Sequence, residues 1–219
     1  SPDRNTMLLG NNTPSWQLIN IDTDNIKPTD LDLSNILPFS SKAENAPVGL
    51  FSGAIKEAEW ATDNEHVLLT IEQEGVINWV LINVKNPNNS INLTKDFNAN
   101  FSEIKILDQS ANSLLAVLDG NLHRIDVSAK QISAVILSKV RSFDYYEQTI
   151  VFSAKDPETS KYYIGIARIG NDEVKKLEED METSSKVVIT KFYDDEYIGV
   201  INDTSVALHT KNDYALKAT

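Results

Sequence analysis

The chain has 219 residues, a formal net charge of −12 and no cysteine, with 41% hydrophobic and 24% charged residues. The lack of cysteine excludes disulfides, thiolate metal sites and cysteine nucleophiles. The acidity repels phosphate backbones and anionic lipid heads over a Debye length, which argues against nucleic-acid binding and docking on an anionic membrane; its simplest role is solubility.

In chain order, residues 6–11 and 16–22 read as strands around the turn Asn12-Thr13-Pro14-Ser15, and 26–33 as an outer strand. Residues 35–48, with Pro38 and Pro47, read as a long irregular connection. The clearest segment follows. Strands are predicted over 54–60, 67–72 and 78–85, with a hairpin at Glu74-Gly75 and a short fourth strand over 90–94 after the breaker Asn86-Pro87-Asn88-Asn89. Next come inner strands around Ile104, Ile106 and 114–118, a tight turn at Asp119-Gly120-Asn121, and strands over 122–127 and 132–137. Residues 140–145, 149–154, 162–169 and 173–177 form a further set, with 156–161 a polar loop and 178–185 an acidic loop. The last set is 187–193, 197–201 and 205–210, stopping before a clear fourth strand. No stretch keeps an apolar period of 3.6 residues over 12 or more positions, so almost no helix is expected.

These sets repeat one unit. Polar turns recur at Ser1-Pro2-Asp3-Arg4, Ala61-Thr62-Asp63-Asn64, Asp108-Gln109-Ser110-Ala111, Tyr146-Glu147-Gln148 and Tyr193-Asp194-Asp195-Glu196. Each is followed by an apolar run: TMLLG, HVLLTI, SLLAVL, TIVFSA and YIGVI. Counted from Asp63, matching positions fall at Ser110, Glu147 and Asp194, steps of 47, 37 and 47 residues. Four strands per ~45 residues is the spacing of a propeller blade. The expected fold is all-β: a propeller of about five four-stranded antiparallel blades over residues 1–48, 49–98, 99–138, 139–184 and 185–219, with the first and last incomplete. Blades hide their faces by stacking on one another, through alternating Val, Ile, Leu and aromatic residues. Turn acids fix the hairpins by accepting nearby backbone N–H groups, and Trp60 and Tyr145 cover the ends of the core.

The segment Trp60-Ala61-Thr62-Asp63-Asn64 resembles the W-S-P-D-G blade hairpin of TolB-type propellers, with Asn64 in place of Gly; Ser1-Pro2-Asp3-Arg4 is a truncated second copy. The stretches Trp79-Val80-Leu81-Ile82-Asn83 and 86–95, with Phe97, resemble the C-terminal propeller-like region of bacterial PEGA-domain proteins. That resemblance is specific between about Glu59 and Val127. It implies a membrane-anchored parent protein of which this fragment, starting inside a repeat, lies on the extracytoplasmic face. It carries over no catalytic residue.

His66, His123 and His209 lack the H-E-x-x-H spacing of a metal site and read as ordinary, partly exposed histidines. Asp22, Asp24, Asp30 and Asp32 are the densest acidic cluster, but the EF-hand Gly and Glu positions counted from Asp22 hold Lys27 and Leu33, so a solvated edge is expected. Asp194, Asp195 and Glu196 fit a blade turn better than glycosidic acid–base chemistry. No G-x-S-x-G elbow or phosphate-cradling loop is present among eight glycines. Trp16, Trp79, Tyr162 and Tyr163 form either a stacking platform for sugar or peptide or, the favoured reading, blade packing. No catalytic, cofactor or metal residue is assigned. The expected role is a non-catalytic binding or scaffolding module with a protein or cell-surface glycan as partner. The alternative is a propeller enzyme or the accessory domain of a hydrolase.

Overall fold

The computed structural model describes residues 1–3, 5–9, 15–21, 28–33, 36, 54–73, 75–192, 195–212 and 214–218. These residues are nearly all β and form five antiparallel sheets. The first sheet holds β1 (Thr6–Leu9), β2 (Ser15–Asn20) and β3 (Pro28–Asp32) in sequential order. The second holds β4 (Ala54–Trp60), β5 (His66–Gln73), β6 (Val76–Asn83) and β7 (Ile91–Asn92). The third holds β8 (Phe101–Ile106), β9 (Ser113–Leu118), β10 (Asn121–Asp126) and β11 (Gln131–Ile132). The fourth holds β12 (Val140–Tyr146), β13 (Thr149–Lys155), β14 (Tyr162–Arg168) and β15 (Asn171–Met181), and the fifth β16 (Lys186–Phe192), β17 (Asp195–Ile201), β18 (Val206–Thr210) and β19 (Leu216–Ala218). Each sheet is a meander, since hydrogen-bonded neighbours are consecutive in sequence. Packing divides the chain into two compact units: Ser1–Leu114 with Ile125–Ile132, and Leu115–Arg124 with Ser133–Thr219.

In the first unit, Trp16, Leu31 and Leu33 of the first sheet region bury themselves against Val67, Leu69, Ile71, Val80 and Ile82 of the second, with Trp60 partly buried against the cluster. Alternate residues of a strand point to opposite faces. Leu68 and Thr70 are buried as well, so β5 hides both faces. In the second unit the fourth and fifth sheets meet the same way, through Val151, Ile164 and Ile166 against Val187, Ile198 and Val200. Each such side chain contributes about 1.5–3 kcal/mol when fully buried. Gly165 pairs with Phe152 across β13 and β14, and a Cβ there would lie 2.4 Å from Phe152 Cζ. The missing side chain lets the Phe152 ring lie flat across the neighbouring strand.

The first strand of each sheet is an edge, whose outward N–H groups need acceptors. An acid of the preceding sheet supplies one in each unit. Glu59 on β4 accepts from Ile106 N on β8 at 3.3 Å, and Asp144 on β12 accepts from Ile189 N on β16 at 2.7 Å. Both acids immediately precede the aromatic residue that leads into the turn, Trp60 or Tyr145. The hairpin turns place Asn64, Ala111 and Glu147 in the left-handed region, with φ of 60°, 53° and 56°. Asn64 thus sits where the resembling hairpin carries Gly, for the conformational reason that favours Gly there.

Three predicted elements are corrected. The expected strand over 90–94 is only β7; Asn92 then caps a short helical turn, α1 (Leu93–Asp96), its side chain accepting from Lys95 N at 3.0 Å. The expected strand over 132–137 shrinks to β11 plus a single bridge between Leu122 and Leu137. The first half of the acidic run expected as a loop over 178–185 is strand, because β15 continues to Met181. Register shifts along β14 and β15 absorb the polar run, and Glu179 and Asp180 stay exposed on the sheet edge. The fifth repeat also has the fourth strand that was not predicted, β19, paired to β18 through Leu208 and Ala218. The expected connection over 35–48 lies outside the described residues apart from Ile36.

Candidate functional site

In the first unit the polar turn between β4 and β5 is closed on itself. Asp63 Oδ1 accepts the N–H groups of Glu65 and His66 at 2.8 and 3.0 Å, while its Oδ2 lies 2.6 Å from His66 Nδ1. His66 Nε2 lies 3.0 Å from Asn83 Nδ2, and Asn83 Oδ1 accepts from Asn86 N at 2.7 Å. With Nδ1 donating to Asp63, Nε2 accepts from the Asn83 amide. An Asp–His pair is the core of a general base, but here the second nitrogen is already engaged by Asn83, so the pair holds the turn. Burial opposes the Asp63 charge. The Glu65 amide, the His66 ring and the His66 amide outweigh it and hold the carboxyl below the ordinary aspartate value of 3.8. Neighbouring turns join this one: Asp3 N donates to Asn64 Oδ1 at 3.1 Å and Asp63 N to the Gln109 carbonyl at 3.2 Å.

The second unit is more open. Arg168 ends β14, just before the Ile169-Gly170 hairpin, and is exposed. Among the described residues its guanidinium has no ion-pair or hydrogen-bond partner. Three clefts share it. One of about 620 Å³ is walled by Glu147, Gln148, Glu196, Lys211, Asn212 and Tyr214. A second of about 470 Å³ runs along residues 133–137, and a third of about 250 Å³ holds Asn171, Glu173, Lys175 and Tyr214. Lys211 is not open in this way. It pairs with Glu196 at 2.5 Å and Glu147 at 3.9 Å and sits 4.9 Å from the centre of the Tyr146 ring. Burial, reinforced by the charge of Glu147, pushes the nearby Tyr145 phenol up. Lys175 lies 4.2 Å from the centre of the Tyr214 ring. Val135 and Ile136, 48% and 39% exposed, give the second cleft an aliphatic rim.

His209 anchors this region. It is buried, with Nε2 2.8 Å from Glu178 Oε1 and Nδ1 3.3 Å from the Tyr214 carbonyl. Both ring nitrogens therefore have an oxygen within hydrogen-bond reach. The contact ties β18 to β15 and positions the Tyr214 backbone.

The residues flagged in the sequence do not gather into one site. His123 is exposed, with Nδ1 2.9 Å from the Ser133 carbonyl, and each of the three histidines has its own local partners. Among the described residues no three His, Asp or Glu side chains form a group able to hold a metal ion. Asp22, Asp24 and Asp194 lie outside the described residues; Asp30 accepts from Gln17 Nε2 at 3.3 Å, and Glu196 pairs with Lys211. At two of the four aromatic positions weighed as a stacking platform, the side chain packs inside, as the favoured reading expected. Trp16 is core, and Trp79 is buried with its Nε1 donating to the Phe101 carbonyl at 3.0 Å. Tyr163 packs edge-on against Phe152 at 5.8 Å beneath Lys176. Sequence reasoning missed Arg168, Lys211 and Tyr214. The available signal was Arg168 itself, one of four arginines in a strongly acidic chain, placed at the end of a strand before a glycine hairpin.

No protein-family model and no curated protein matches the sequence. Solved structures do match its fold. TolB from Acinetobacter baumannii superposes over 97% of the chain with a TM-score of 0.53 at 14% identity. Putative TolB from Agrobacterium tumefaciens does so over 99% with 0.53 at 11%, and dipeptidyl peptidase 4 from Porphyromonas gingivalis over 99% with 0.58 at 10%. The chain spans 51%, 77% and 38% of those three proteins respectively. At such identity the likeness is one of fold: a TolB-like propeller architecture. No helix among the described residues is long and apolar enough to cross a membrane.

Proposed function

We propose that the chain is a non-catalytic binding module of a bacterial cell-envelope protein, its five sheets the blades of a propeller that presents clefts to a protein partner. The observation that carries this reading is Arg168, an exposed cation without a partner among the described residues, at the junction of three clefts. Rigid sheets that hold variable loops and strand ends are the usual support for recognition surfaces. The fold likeness to TolB supports a module of this kind, placed on the extracytoplasmic face, and the sequence resemblance supports a membrane-anchored PEGA-type parent. The test is retention of envelope proteins on the immobilised chain, run beside Arg168→Glu. Equal retention by both overturns the assignment of the site.

A second reading, an accessory domain of a hydrolase, is favoured by the likeness to dipeptidyl peptidase 4. It predicts that the chain raises the activity of a separately supplied peptidase or glycan hydrolase without turning over substrate alone.

A further inference from the structure

We infer that the clefts meeting at Arg168 take an extended peptide segment with a carboxylate side chain beside aliphatic ones. This rests on the binding-module reading above and names its ligand class. The positive charges of the region differ in availability. Lys211 is held between Glu147 and Glu196, and Lys175 lies over Tyr214, whereas Arg168 is exposed and open. A free guanidinium matches a carboxylate with two parallel hydrogen bonds, a geometry an ammonium does not reproduce. In a chain of net charge −12, an anion finds such a partner only where a cation is left uncompensated.

The same arginine borders the cleft rimmed by Val135 and Ile136. Exposed aliphatic side chains next to an open cation suit a ligand that alternates charge and hydrophobicity, as an acidic peptide does. A uronate-bearing glycan shares the carboxylate but wants flat aromatic faces to stack on. Here the aromatic rings lie under cations, Tyr214 beneath Lys175 and Tyr146 beneath Lys211. The surroundings of Arg168 therefore favour the peptide.

A display library of random linear peptides selected on the intact chain tests this. The expected result is enrichment of Asp or Glu flanked by Leu, Ile, Val or Phe. A synthetic copy of the enriched peptide loses about tenfold in affinity when its acid becomes the amide, and about as much with Arg168→Ala. The two changes together cost little more than either alone, since both remove one pair. Selection on Arg168→Glu is expected to enrich Lys or Arg in place of the acid. Enriched peptides without acids, or acidic peptides that bind Arg168→Ala equally well, overturn the ligand class while the binding-module reading stands. Selection of no peptide, with retention of acidic polysaccharide abolished by Arg168→Ala, overturns the peptide and assigns the site to a glycan. Failure of every probe, envelope protein included, overturns the module reading itself.

Discussion

The turn after β4 and the end of β14 are both polar, both lie at the ends of strands, and they are built in opposite ways. At the turn, Asp63, His66 and Asn83 answer one another, and the outermost amide still accepts the N–H of Asn86. At the end of β14, Arg168 has no partner among the described residues, while Lys211 nearby holds two acids. The first arrangement has spent its hydrogen-bonding capacity on the fold. The second keeps a charged donor in hand, and that is where recognition is available. Polarity alone does not distinguish a scaffold from a site; the state of the partners does.

The comparison breaks most visibly at Asp63. Asp63→Ala strips the acceptor from two backbone N–H groups and from the His66 ring in one step. Stability is expected to fall by about 2–3 kcal/mol, the order for removing several hydrogen bonds to a partly buried charge, measured as a denaturant midpoint shift at constant slope. Asp63→Asn keeps one acceptor oxygen and is expected to cost roughly half as much. The pH dependence follows from the depressed carboxyl. A group whose pKa is lower in the folded state stabilises fully above its unfolded value, 3.8, and loses that contribution as pH falls through the folded value. The stability gap between the wild type and Asp63→Asn should therefore hold near neutrality and close below pH 3.8. A gap that stays constant into acid would mean that the carboxylate charge is not what holds the turn.

The closed turn was largely legible in the sequence. An Asp followed by a residue tolerant of the left-handed conformation, between two apolar runs, specifies a hairpin by local chemistry, and Asp63-Asn64 does so. The strands were legible for a similar reason: runs such as HVLLTI and TIVFSA are mostly apolar, without strict alternation, because both faces of the sheet are covered. What escaped depended on partners distant in sequence. Glu59 and Asp144 each accept from the edge strand of the next sheet, from partners 47 and 45 residues away in sequence. The acidic tail of β15 looked like a loop because no local pattern announces a bulge. Residues 93–96 leave the strand because Asn92 caps a helical turn, its side chain accepting from Lys95 N. For Arg168 the sequence offered its rarity and its place before a glycine hairpin, but not that no described residue pairs with it, because that depends on residues distant in sequence.

Two smaller effects sharpen the contrast at the open end. Lys211→Met keeps an unbranched side chain but leaves Glu147 and Glu196 without their shared cation and the Tyr146 ring without its ammonium. The Lys211 side chain is only 13% exposed, so the loss should reach about 1 kcal/mol, at the upper end for an ion pair near the surface, and should shrink in high salt. Glu147→Gly acts in the other direction. Glu147 holds a φ of 56°, a conformation that suits glycine, and its 3.9 Å contact with Lys211 is long and largely exposed. Relief of backbone strain is expected to exceed the lost ion pair and raise stability by about 0.5 kcal/mol.

The smallest expected effect on stability is the most informative. Arg168→Ala removes an exposed side chain that makes no hydrogen bond or ion pair among the described residues, so its thermal unfolding should match the wild type within about 0.5 kcal/mol. Asp63→Ala, by contrast, should weaken the fold and leave the affinity of the surviving folded protein for an Arg168-dependent peptide unchanged. Measuring both variants by both assays separates the two kinds of polar residue. If Arg168→Ala destabilises as strongly as Asp63→Ala, the arginine belongs to the scaffold after all, and the open end of β14 loses its claim to be a recognition site.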